Sequence, residues 1–120
     1  MYTLGIIEES LLNQDVLQKI KIYLFSQRTE RVPTDENPEW HIGEYHVPCS
    51  EMANIMPILA DSIKPNYYIH AFSEEELIVV LSGKVFHISK EKDNTWNAMI
   101  EYGVSVGVEK HYLESVPLSV

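Results

Sequence analysis

The sequence predicts an α+β domain: a mostly antiparallel sheet on a split β-α-β core, a variant of the ferredoxin-like arrangement, with two main helices packed on one face. Three observations predict it. The runs LIVVL and KVFHI are separated by Ser82-Gly83 alone, which is a two-residue hairpin signal. Met52, Ile55, Met56, Leu59 and Ile63 recur at the spacing of one helical stripe. From residue 39 onward the periodicities follow in the order β-α-β-β-β-α, so a strand, a crossover helix and a hairpin share one sheet.

Taken in order, residues 3–8 (TLGIIE) are short and strand-like. Residues 10–20 carry Leu12, Val16, Leu17 and Ile20 at helical spacing, with Asn13 as a starting residue. Residues 22–32 (IYLFSQRTERV) are rich in β-branched and aromatic side chains and predict a strand. The N-terminal strands are expected to extend the sheet. Two prolines bracket the loop PTDENP at 33–38, which is too short to divide two domains.

Residues 39–47 (EWHIGEYHV) predict a strand with Trp40, Ile42, Glu44 and His46 on one face and His41, Gly43, Tyr45 and Val47 on the other. A helix is expected over 50–63, with Ser50 as its N-cap and Glu51 complementing its dipole. Pro57 removes one backbone donor inside it and is expected to bend or split the helix. Strands follow at 67–72, 76–81 and 84–89, placing Tyr68, His70 and Phe72 on one strand face. A last helix spans 95–106. There Gly103 and Gly107 either leave a flat face for another backbone or, at Gly107, end the helix. The remaining residues to 120 read as a turn and a tail.

A chain of 120 residues fits one domain, here 1–120, and can bury roughly two thirds of its unfolded surface. The hydrophobic fraction of 45% supplies a core without disulfides, and the lone Cys49 allows no intrachain bridge. Cys49 precedes a helix but has no base nearby in sequence, and it reads as a small apolar filler. The formal charge is −9, from 9 Lys+Arg against 18 Asp+Glu. Residues 1–32 hold four of each sign, so the excess lies after them. A field of this sign repels nucleic acid and anionic membranes, and neither is expected as a partner. No window is long and apolar enough to span a membrane, no leader or lipidation signal stands out, and the cytoplasm is the expected compartment.

No P-loop, GxGxxG, GxSxG, CxxC or H-E-x-x-H pattern is present. His46, His70 and His87 fall on three predicted strands and are able to converge, but zinc needs three or four ligands with supporting partners. The histidines read as half-buried sheet residues, with no metal and no cofactor expected. Tyr23, Phe25, Arg28 and Arg31 interleave bases with aromatics, which is ordinary strand decoration. Glu74-Glu75-Glu76 reads as a solvated turn.

Aromatic and histidine residues concentrate on the predicted sheet; on an uncovered face their rings are suited to stacking a ligand or forming an interface, and the equal alternative is that the tail and the N-terminal segment cover them as a second small core. The expected site is therefore Trp40, Tyr45, His46, Tyr68, His70 and His87. The leading functional expectation is a non-enzymatic protein that binds a small molecule or a protein partner there, its own copy in a homodimer included. An acidic inhibitor or antitoxin-like partner of a basic protein follows from the charge. A small enzyme with His46, His70 or His87 as general base is the third reading.

Three stretches, GIIEESL at 5–11, YYIHAFSEEELIVVLSGKVF at 67–86 and WNAMIEYGVSVGV at 96–108, together resemble a group of small bacterial and phage proteins labelled only as hypothetical. The resemblance implies a free-standing protein of that origin. It carries over no activity, cofactor or catalytic residue.

Overall fold

The computed structural model describes residues 1–35 and 38–120; part of the predicted 33–38 loop therefore lies outside the described residues. The chain forms an α+β structure with a six-stranded antiparallel sheet and four α-helices. The strands are β1 (Tyr2–Ile7), β2 (Leu24–Arg31), β3 (Glu39–Val47), β4 (Ile69–Phe72), β5 (Leu77–Leu81) and β6 (Lys84–Ile88). The helices are α1 (Asp15–Ile20), α2 (Cys49–Ser62), α3 (Trp96–Ser105) and α4 (Lys110–Leu113).

The strand order is β2-β3-β1-β4-β5-β6. The N-terminal strands do not simply extend the sheet. β2 forms one edge, whereas β1 runs through the middle, antiparallel to β3 on one side and β4 on the other. Strand pairing over such separations leaves no local signature, which is why periodicity alone does not place β1.

The two faces of the sheet have different covers, contrary to the expectation of both main helices on one face. Leu4, Ile6, Tyr45, Val47, Ile69, Ala71, Ile78 and Val80 form one buried cluster with Val16, Leu17 and Ile20 of α1 and the stripe of α2. Leu77, Val79, Leu81 and Ile88 form a second cluster with Trp96, Met99, Leu113 and Val116 on the other side. β5 alternates between the clusters, so all five of its side chains are buried. The unbroken apolar run LIVVL is the sequence trace of that double cover.

Local chemistry fixes the element ends. α2 begins one residue earlier than expected and has Pro48, not Ser50, at its N-cap. It continues through Pro57 without splitting; Pro57 points to solvent, away from the buried stripe. At the end of α3, Val108 N–H donates to the Gly103 carbonyl at 3.0 Å and Gly107 N–H to Val104 at 3.1 Å. This is a Schellman closure, and it needs the φ of +103° at Gly107, so that glycine ends the helix. Gly103 instead leaves room for the Leu113 side chain, not for a second backbone. Leu113 belongs to α4, a short helix in the segment expected to be only turn and tail. The Ser82-Gly83 hairpin is tied to α2 by Gly83 N–H donating to the Ala60 carbonyl at 2.9 Å.

Among the described residues, no helix is long and apolar enough to cross a membrane. Cys49 is exposed at the start of α2 and is not the buried filler the sequence suggested.

Candidate ligand-binding cavity

α3 and α4 cover the second face over β4, β5 and β6, and the segment after them reaches as far as Gly5 of β1. Beyond that contact, toward β3 and β2, the cover ends, and a cavity of about 340 Å³ opens at the boundary. Its floor includes Gly5, Ile7 and Ile42 of the sheet. Trp40, Tyr67, Tyr68 and His70 supply aromatic walls, and Val108, Tyr112, Pro117, Ser119 and Val120 close the far side. Arg28 and Asp35 are its charged lining residues among those described.

Each wall has a local cause. The β1–β4 register sets Gly5 opposite His70. A Cβ on Gly5 would stand 2.9 Å from His70 Cε1 and 3.0 Å from Val120 Cγ2, so only glycine lets the ring and the C-terminal segment meet there. His70 Nε2–H donates to the Ser119 carbonyl at 2.8 Å. A carbonyl can only accept, so the proton sits on Nε2 and Nδ1 is the acceptor of the neutral ring. Burial pushes the His70 pKa below its usual value, and the Ser119 hydrogen bond opposes part of that shift.

Tyr68 lies two residues away on the same face, its ring centroid 6.3 Å from that of His70. Burial, and then the neighbouring Tyr112, push its phenol up to about 12. Trp40 comes from β3, where it meets Tyr67 edge to face at 6.2 Å and 68°. The Trp40 Nε1–H and the Tyr67 hydroxyl both donate to Asp35 Oδ2, at 3.1 and 2.6 Å. One carboxylate oxygen thus orients both rings. Arg28 shares the face of Ile42 through the β2–β3 register, and its Nε–H donates to Glu30 at 3.0 Å.

Of the six residues expected from sequence, Trp40, Tyr68 and His70 come together at this cavity. Tyr45 does not; it faces the opposite side of the sheet and is buried in the core against α1 and α2. His46 shares the sheet face but stands apart, stacked on Phe25 at 4.1 Å and donating to Glu44 at 2.6 Å. His87 lies on the other face because it pairs with Ile78, and it donates to Glu76, which also accepts from Tyr2. The three histidines of the metal reading therefore do not converge.

Sequence reading missed Gly5, Arg28, Asp35, Tyr112 and the 117–120 segment. Only Gly5 left a signal, since a glycine inside a strand marks a close approach. The C-terminal residues reach the site through the tertiary course of the chain.

A second cluster lies outside the cavity. Ligand atoms of Glu8, Glu9 and His41 all fall within 4.8 Å of one another. There the His41 backbone N–H and ring Nδ1–H donate to the two Glu9 oxygens at 2.7 and 2.6 Å. The hydrogen bond to Glu9, then its charge, raises the His41 pKa. Burial alone would raise that of Glu9, but the His41 hydrogen bonds outweigh it and the pKa falls.

No protein-family model, no curated protein and no solved structure matches this chain.

Proposed function

We propose that the protein binds a small organic ligand in the cavity walled by Trp40, Tyr68 and His70. The observation that carries this reading is the convergence of those three rings where the helical cover of the sheet stops, opposite the segment 117–120. The combination of apolar walls, a few placed polar groups and a volume near 340 Å³ is that of a small-molecule site. In the same reading, the β3–α2–β4 passage with β1 between its strands supports a split β-α-β core of ferredoxin-like kind.

Catalysis by a histidine base has less support. Such a base is ordinarily oriented by a third group. The histidines with carboxylate partners, His41, His46, His87 and His111, all lie outside the cavity. Among the described residues no carboxylate pairs with His70, whose proton is held by a backbone carbonyl.

A fragment screen by protein-observed NMR tests the proposal. Hits should shift the resonances of Trp40, Tyr68 and His70 and leave those of Trp96, buried in the second cluster, nearly unchanged. Trp40→Ala should weaken hits roughly tenfold or more, as for an aromatic anchor. Hits that map only to other surfaces, or no hits at all, would remove the proposal.

A further inference from the structure

Resting on that reading of the cavity, we infer that its ligand is a small methylated ammonium compound, with the cation seated in the corner formed by Trp40 and Tyr67. The two rings meet nearly at right angles with centroids 6.2 Å apart. A cation in such a corner lies within the reach of about 6 Å over which ring faces attract it. Tyr68 and Tyr112 add two further rings to the lining.

The charges agree in sign. Asp35 sets a carboxylate beside both corner rings, and its Oδ2 holds them in place. Arg28 would oppose a cation, but Glu30 sits 3.0 Å from its Nε and offsets it. The chain as a whole carries −9, a field that raises the local concentration of cations. Burial lowers the His70 pKa, which disfavours a competing positive charge on the imidazole.

The degree of methylation follows from the lining. A bare ammonium needs three hydrogen-bond acceptors when it leaves water. The walls are mainly rings and aliphatic side chains, which a quaternary ammonium meets without an unsatisfied N–H.

Calorimetric titration with choline and with 3,3-dimethyl-1-butanol, its neutral isostere with carbon in place of nitrogen, separates charge from shape. Choline should bind roughly tenfold more tightly than the isostere. Asp35→Asn and Trp40→Leu should each shrink that ratio. Tyr67→Phe, which keeps the ring, should leave it within a few fold and controls for variants that fold poorly. Free choline should bind equally well in the presence of phosphatidylcholine vesicles; cosedimentation with the vesicles would contradict a free ligand.

Equal binding of choline and the isostere overturns the inference while leaving the cavity reading in place. So does failure of both probes when screen hits still map to the cavity. Choline binding that survives Trp40→Leu unchanged places the cation elsewhere and also overturns it. An empty screen together with failure of both probes removes cavity and cation alike.

Discussion

The two halves of the sheet, β2-β3-β1 and β4-β5-β6, have three strands each and are treated in opposite ways. β5 has every side chain buried between two helical layers, whereas β2 is exposed at seven of its eight positions, from Phe25 to Arg31. One face of β1 and β3 packs on α1 and α2, and their other face is only partly covered. The doubly covered half supplies stability. The half covered on one side presents ring faces and charges where the cover stops, and the cavity forms at that seam. Binding sites need surface that the core has not consumed, and this fold leaves it by ending its second helical layer halfway across the sheet.

The largest test of that contrast compares the two strands directly. Leu77→Ala in β5 should cost about 2–5 kcal/mol, because the fully buried side chain leaves a cavity between two layers. Thr29→Ala in β2, an exposed edge position, should change stability by less than about 0.5 kcal/mol. Urea unfolding of both variants decides it, and similar losses would show that the halves are not energetically distinct.

A smaller effect is expected at the seam. Gly5→Ala should cost about 1–3 kcal/mol through overpacking against His70 and Val120. It should also displace the 117–120 segment, seen as faster amide exchange there than in wild type. Unchanged exchange would mean that this segment is held by Val116 and not by the contact over Gly5.

The smallest effects concern two histidines of opposite environment. His70 should titrate below 6.5 and His41 above it when followed by NMR. For His70 the unfolded chain takes up the proton first, so its contribution to stability is lost as pH falls below 6.5 toward the folded value. For His41 the sign reverses. Its contribution is complete below 6.5 and is lost as pH rises through the folded value. Glu9→Gln should bring His41 back toward 6.5, and His70→Gln should flatten the acid side of the stability curve. Identical titration of both rings would erase the distinction between the buried and the exposed site.

Much of this was legible locally. β3 occupies the residues its alternation marks, and the period of two separates Trp40, which lines the cavity, from Tyr45, which is buried in the core against α1 and α2. The stripe of α2, the hairpin through Gly83 and the stop at Gly107 follow from apolar spacing and from the freedom of glycine at positive φ. The grouping of His46 and His87 with Trp40 was not supportable in the same way, because it required knowing which strands pair and in what register. Tyr68 and His70 joined Trp40 because β1 entered between β3 and β4 and carried Gly5 beneath the imidazole.

Local pattern and composition are enough for the kind and extent of most elements, the side of each strand on which its rings stand, and the acidic surplus. These follow from backbone sterics, from side-chain periodicity and from composition, all of which act over a few residues or as a simple sum. Tertiary structure alone decided the central place of β1, the opposite faces of α2 and α3, and the meeting of Asp35, Trp40, Tyr67 and the C-terminal segment at one cavity. Those outcomes depend on burying two apolar stripes on two sides of one sheet, a cooperative choice among distant segments that no local pattern encodes.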